Sequence, residues 1–147
     1  MRANELMIGD WVHMKAHRGF EAQDIKVETI PDASSDTHYG HIGAFPTSED
    51  MDFRDIEDTF LEPIQLTIEI LEKNGFSKFI AGQYLCANKE EDWFVLVMPG
   101  LHTAPNSKHR FLASCKHIYT DAKIAINYVH ELQHALRLCG INKEITL

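Results

Sequence analysis

The segment His130-Glu131-Leu132-Gln133-His134 is the part of this sequence that could most directly do chemistry, because it matches the pattern HExxH. On a helix, histidines four residues apart lie one turn above each other and can bind one zinc ion, while the glutamate between them acts as general base on a metal-bound water. The motif supports a zinc-dependent hydrolase as an alternative function, with His130 and His134 as ligands, Glu131 as catalytic base and zinc as cofactor.

The direction of the predicted final helix argues against this zinc site. We predict a helix that opens at residues 120–121 and runs to about residue 139, with one continuous apolar stripe. At about 100° per residue, His130 and His134 fall on the side opposite this stripe, so both imidazoles are expected to face water. The stripe consists of Ala125, Val129, Leu132, Leu136 and Cys139.

A third zinc ligand is also missing from the local sequence. A catalytic zinc usually has three protein ligands and one open position. The longer pattern HExxHxxGxxH needs glycine at position 137 and histidine at position 140, where this chain has Arg137 and Gly140. We therefore predict no catalytic residue, no metal ligand and no cofactor, and we keep zinc only for the alternative function.

Histidines also occur in two predicted loops, as His38 and His41 and as His102 and His109. Imidazoles in loops can bind a ligand or transfer protons near neutral pH, so these loops are candidate ligand sites. The alternative interpretation is that they are ordinary polar loop residues of a histidine-rich chain. A zinc ligand from His102 or His109 would follow no spacing rule.

The three cysteines, Cys86, Cys115 and Cys139, lie at wide spacings and form no CxxC pair. This arrangement argues against a zinc ribbon or a redox motif. We predict reduced, mostly buried thiols that pack as small apolar side chains.

The elements that position these residues suggest an α+β fold in two lobes, which could also form one compact domain. Residues 1–63 predict a small, strongly bent antiparallel sheet or barrel, with strands after Gly9, at residues 25–29 and at residues 39–45. Residues 64–147 predict an α-β-β-β-α lobe with both helices packed on an antiparallel sheet. Its first helix begins after an N-cap at Thr67 and ends at Asn74-Gly75. Its strands are predicted at residues 83–87, 93–98 and 111–119.

Composition and charge narrow the class of partner. The chain has 147 residues, 44% hydrophobic and 24% charged, which is an ordinary globular balance. Residues 1–63 contain five Lys and Arg and fourteen Asp and Glu, a net charge of −9, whereas residues 64–147 have a net charge of +1. An acidic first lobe repels phosphate backbones, which disfavours nucleic acid. The absence of a signal-peptide pattern and of an 18-residue apolar run predicts a cytoplasmic protein without membrane contact.

Three segments resemble a group of small proteins from anaerobic gut bacteria and their phages or mobile elements. These segments are residues 3–12 (ANELMIGDWV), residues 62–76 (EPIQLTIEILEKNGF) and residues 128–141 (YVHELQHALRLCGI). The resemblance implies no activity and no catalytic or binding residue.

Taken together, these features predict a non-enzymatic binding or regulatory module whose partner is a protein. Either the acidic first lobe or the loops with His38, His41, His102 and His109 would meet this partner. A zinc hydrolase is the first alternative, and a nucleic-acid-binding small barrel is the second. A homo-oligomer is compatible with the sequence.

Overall fold

The computed structural model describes residues 1–2, 5–17, 19–30, 41–44, 54–99, 111–117 and 120–147. The chain divides into two compact units, Met1–Ile64 and Gln65–Leu147. Each unit contains one five-stranded antiparallel sheet, and both α-helices of the described residues belong to the second unit. The predicted α+β class is confirmed, with strands contributing more residues than helices.

In the part of the first unit that the structure describes, five short strands have the order β4-β3-β2-β1-β5. Alternating residues of these strands point into one apolar core, as the two-residue period of a strand requires. In β1, for example, Val12 and Met14 are fully buried, whereas Trp11 and His13 are half-buried. The strands are β1 (Trp11–Met14), β2 (Gln23–Thr29), β3 (His41–Ala44), β4 (Arg54–Glu57) and β5 (Leu61–Pro63).

The sheet of the first unit is open, so the barrel that the sequence suggested does not close. Strands β4 and β5 lie at its two edges. Edge strand β4 is anchored to the core by Ile56, which is almost fully buried and paired with Ile42 of β3.

The second unit contains a sheet in the order β10-β9-β8-β7-β6. The apolar segment that begins at Trp93 forms β8, the central strand of this sheet. Its unbroken hydrophobic sequence indicated cover on both faces, but only the face of Trp93, Val95 and Val97 is buried, and Phe94 on the other face is 37% exposed. The strands are β6 (Ser77–Lys78), β7 (Tyr84–Asn88), β8 (Trp93–Pro99), β9 (Phe111–His117) and β10 (Thr120–Ile126).

Helix α1 (Ile68–Lys73) has the end signals that the sequence predicted. The hydroxyl of Thr67 accepts a hydrogen bond from the Ile70 N–H at 3.3 Å, which satisfies one orphan donor of the first turn. At the other end Gly75 has φ +78°, and the Phe76 N–H returns to the Leu71 carbonyl at 3.0 Å.

The prediction of a helix from residue 120 was wrong. Residues 120–126 form β10, which pairs along its whole length with β9, and helix α2 begins only at Val129 and ends at Leu138. Over its described residues the second unit has five strands, and not the three of the predicted α-β-β-β-α lobe. Ala125, assigned to the helical stripe, is an exposed residue of β10. The stripe holds within α2 and its C-cap, where Val129, Leu132, Leu136 and Cys139 are buried.

The last residues of the second unit pack back onto α1. Asn74 is buried, and its amide nitrogen donates to the carbonyls of Ile70 and Thr146, both at 2.8 Å. Its side-chain oxygen accepts from the Thr146 N–H at 2.8 Å. Ile141 and Ile145 of the same C-terminal segment are also buried. One buried amide thus joins the end of α1 to residue 146.

Within the described part of the chain, neither helix has the length and apolar character needed to cross a membrane.

Candidate functional site

Glu131 of the HELQH motif caps helix α2. Its Oε2 atom accepts hydrogen bonds from the backbone N–H groups of Asn127 at 2.5 Å and Tyr128 at 3.1 Å. Glu131 is the third residue of the helix, the position from which a capping-box glutamate reaches back to the N-cap. The carboxylate therefore already bonds two backbone donors, which accounts for its place in the sequence without catalysis.

The prediction that both histidines of the motif face water was wrong for His130. Its side chain is 7% exposed, and the Tyr128 ring lies parallel to its imidazole with the centroids 5.7 Å apart. The prediction was wrong because it treated the apolar stripe as the only buried side of the helix. Tyr128 precedes the helix and covers a second side. His134 remains half-buried, with its ring at 75° to that of His130 and the centroids 5.7 Å apart.

The described residues bring no third ligand to this histidine pair. No group of three His, Cys, Asp or Glu side chains in that part of the chain is arranged to hold a metal ion. His102 and His109, the loop residues considered as further ligands, lie outside the described residues. The motif thus provides two imidazoles, one of them buried, and a carboxylate used for capping.

Of the loop histidines proposed as ligand sites, only His41 lies in the described part of the chain. It is the first residue of β3, half-buried and opposite Glu57 of β4, so it belongs to a strand and not to a loop. His38 lies outside the described residues.

Two of the three cysteines are brought together in the second unit. Cys115 of β9 and Cys139 at the end of α2 are buried, and their thiols are hydrogen-bonded to each other. Burial, together with the neighbouring Cys139 thiol, raises the pKa of Cys115 to about 12. Burial also raises the pKa of the Cys86 thiol. Because the thiolate is the reactive form, these features fit packed structural thiols, as the sequence predicted.

Three aromatic side chains of the first unit contact one another at its partly exposed surface. The His17 imidazole stacks on the Phe60 ring, with the centroids 4.3 Å apart and an interplanar angle of 15°. The Phe20 ring also contacts His17, with the ring centroids 6.1 Å apart and the ring planes tilted by 45°. All three residues are half-buried, and Phe20 and Phe60 pack against the core of the first unit. We call His17, Phe20 and Phe60 the aromatic surface.

The backbone holds this surface in place. His17 and Phe20 exchange two main-chain hydrogen bonds, of 3.2 and 2.8 Å, across a tight turn that contains Gly19 at φ +88°. That conformation is accessible to glycine without steric cost. The Lys15 N–H donates to the Phe60 carbonyl at 2.8 Å, which joins the β1–β2 connection to a 3₁₀ turn at Asp58–Phe60. The rings are therefore presented by two anchored segments.

Two side-chain pairs link neighbouring parts of the first sheet: His13 of β1 with Asp24 of β2, and Lys15, which follows β1, with Glu62 of β5. The His13 Nδ1–H donates to Asp24 at 2.8 Å, and the Lys15 ammonium lies 2.8 Å from Glu62. The hydrogen bond from Lys15 lowers the pKa of Glu62, so this carboxylate stays ionised well below neutral pH. Both pairs are substantially exposed, so each contributes little to stability.

The aromatic surface has only a weak signal in the sequence. Phe20 and Phe60 are forty positions apart, and their proximity results from the pairing of β1 with both β2 and β5. The visible signal is His17-Arg18-Gly19-Phe20, in which a glycine between two ring-bearing residues is typical of a tight turn.

The sequence matches no family model, and the comparisons with curated proteins and with solved structures found no match. The resemblance to proteins of anaerobic gut bacteria and their phages stays a prediction.

Proposed function

We propose that this chain is a cytoplasmic, non-enzymatic module that binds a protein partner through the aromatic surface of its first unit. The observation on which this depends is the half-buried cluster of His17, Phe20 and Phe60, anchored by backbone hydrogen bonds. Aromatic side chains bring much contact area at little entropic cost, and they are enriched where proteins recognise one another.

The place of Glu131 supports this function over the zinc hydrolase. A general base must be able to reach the proton that it removes. The Oε2 atom of Glu131 instead receives two backbone N–H groups at the start of α2. Releasing it for catalysis would leave the Asn127 and Tyr128 donors unsatisfied at a half-buried helix end.

The charge of the first unit supports a protein partner over nucleic acid. Residues 1–63 have a net charge of −9, so a phosphate backbone would meet repulsion at the aromatic surface. A salt-dependent gel shift with mixed-sequence DNA or RNA tests this choice. We expect no shift at physiological salt, and a tight, salt-sensitive complex would contradict a protein partner.

The direct test compares partner capture by variants of the full chain. Immobilised wild-type protein is incubated with a lysate of its native cells beside a Phe20→Leu/Phe60→Leu variant. Leucine keeps an apolar side chain against the core while removing the ring face. The matched control is Phe79→Leu, which changes a 48% exposed phenylalanine of the second unit.

We expect a set of proteins that wild type and Phe79→Leu retain and that the double variant loses. Thermal unfolding by circular dichroism checks that all three chains are folded. Equal capture by the double variant would refute a role for the aromatic surface. Stoichiometric zinc in protein purified without an affinity tag, lost in His134→Ala, would favour the hydrolase instead.

A further inference from the structure

We infer that strand β10 of the second unit is a dimerisation edge, which pairs antiparallel with β10 of a second copy of this chain. The five-stranded sheets of the two copies then form one continuous ten-stranded sheet. This inference concerns the second unit and goes beyond the proposed function, because it does not depend on the aromatic surface of the first unit.

Over the described residues, the four outer strands of the two sheets differ in how well they could pair with another chain. Proteins commonly protect such edges by making them short, by placing charged residues there or by including proline. Strand β6 has two residues, β5 has three and ends at Pro63, and β4 has four with the sequence RDIE. Strand β10 has seven residues, contains neither proline nor glycine, and pairs with β9 over its whole length without a shift in register. Of these four edges, β10 is therefore the one best formed to accept a further strand.

The core face of β10 is less covered than that of its neighbour β9. Ala113 of β9 and Ile126 of β10 are completely buried on this face. Ile124 pairs with Ala113 and lies on the same face, yet it is only half-buried. A strand added beside β10 would cover this isoleucine, and removal of apolar surface from water favours association.

A second copy of β10 fits this edge better than the other outer strands described in the chain. Strands β4, β5 and β6 are each too short to pair with all seven residues. Antiparallel pairing of β10 with its own copy is two-fold symmetric, so each contact forms twice and the assembly closes at two chains. Pairing with a different edge would leave an unpaired β10 on the next chain and lead to longer assemblies.

The charges of β10 select the register of this pairing. A register centred on Lys123 would place two ammonium groups opposite each other, which is unfavourable. A register centred on Ile124 instead places the two half-buried isoleucines opposite each other on the core face, and exposed Lys123 opposite exposed Ala125 on the other face. Position 121, the acidic residue of the strand, then lies opposite position 127, which is an asparagine. No like charges of the two strands meet in this register.

The test measures self-association of the full chain by sedimentation equilibrium at low salt and amide hydrogen exchange by mass spectrometry. We expect a concentration-dependent dimer. Exchange at residues 120–126 should slow as the protein concentration rises, because pairing protects the N–H groups on the outer edge of β10. A wild-type chain that stays monomeric at every concentration, or a dimer whose residues 120–126 exchange as fast as in the monomer, would overturn the inference.

Charge substitutions at position 125 test the register without changing the core, because Ala125 is exposed. Ala125→Lys places two lysines opposite each other at two symmetry-related positions, so we expect the dissociation constant of the dimer to rise about fivefold. Ala125→Glu should lower it by a similar factor, because a carboxylate then lies opposite Lys123. The matched controls are Ala87→Lys and Ala87→Glu, on an exposed alanine of inner strand β7, and they should dimerise as wild type does. Equal dissociation constants for the two variants at position 125, or the same effects at position 87, would contradict this pairing.

Discussion

Replacing Glu131 by alanine separates a capping role from a catalytic one. The structure gives this carboxylate two backbone donors, Asn127 N–H and Tyr128 N–H, at the start of helix α2. Loss of a capping side chain costs about 1 kcal/mol, and loss of a negative charge in the first turn costs a further fraction of that. Because two donors lose their partner together, we expect Glu131→Ala to lower the free energy of unfolding by about 2 kcal/mol.

Glutamine at position 131 should have a smaller effect. Its side-chain oxygen can still accept from the backbone, so Glu131→Gln loses the charge but keeps the geometry, and we expect a cost of about 1 kcal/mol. In a zinc hydrolase the order would differ, because glutamine cannot act as general base. Activity would then fall in both variants alike, whereas a capping role predicts a graded loss of stability.

The assay is urea unfolding of the full chain, followed by far-ultraviolet circular dichroism at neutral pH. In thermal unfolding, the same loss of about 2 kcal/mol corresponds to a fall in Tm of about 4–8 °C for a chain of this size. The matched control is Glu90→Ala, which removes an exposed carboxylate in the turn between β7 and β8 with the same change in net charge. If Glu131→Ala unfolds at the same urea concentration as Glu90→Ala, the capping argument is refuted.

Three more predictions concern other parts of the chain. Gly19→Ala should cost about 1–2 kcal/mol in urea unfolding, because alanine is strained at φ +88°, and an unchanged midpoint would contradict a fixed turn. Asn74→Ala should cost about 2–3 kcal/mol and speed amide hydrogen exchange at residues 145–147, because the Thr146 N–H loses its acceptor; unchanged exchange would count against this pairing. For Cys115, with a pKa of about 12 in the folded chain, the unfolded thiol loses its proton at lower pH than the folded one. The free energy of unfolding should therefore keep its full value below about pH 9 and fall as pH rises further. The urea midpoint of Cys115→Ala should decline less steeply with pH than that of wild type. Equal slopes of midpoint against pH would show that this thiol is not responsible.

Local signals made helix α1 and strand β8 predictable. Thr67 can cap only a helix that starts directly after it, and Asn74-Gly75 can end a helix without any tertiary contact. Trp93 to Met98 is apolar without interruption, which predicts a strand covered on both faces. The strand is confirmed, but the cover is not: Trp93, Val95 and Val97 are buried, whereas Phe94 on the other face is 37% exposed. Neighbouring residues thus predict the element, and not which of its faces another element covers.

The boundary between β10 and α2 was not predicted because two periodicities overlap there. Ala125 happens to continue the helical spacing of Val129 and Leu132, whereas Ile124 and Ile126 are β-branched and alternate as a strand does. Pairing of β10 with β9 decides between them, and this contact is not local. Glu131 was the signal that the prediction missed, since a glutamate at the third helical position indicates that the helix starts just before it.

The aromatic surface could not be predicted from neighbouring residues for the same reason. A turn could be inferred around Gly19, but the partner ring of Phe60 arrives only when β5 pairs with β1. The burial of His130 also depends on a side chain outside the helix, that of Tyr128. Predicting the aromatic surface would have required the strand order of the first unit. Predicting the burial of His130 would have required the position of the Tyr128 ring.

The bond between Asn74 and Thr146 bears on how the second unit forms during synthesis. These residues are 72 positions apart, so the loop that they close includes the five strands described in this unit and the whole of α2. Helix α1 has six residues, too few to be stable alone in water, and it leaves the ribosome long before its partner segment. We therefore expect the nascent unit to stay incompletely packed, and open to proteases and chaperones, until residue 146 has emerged.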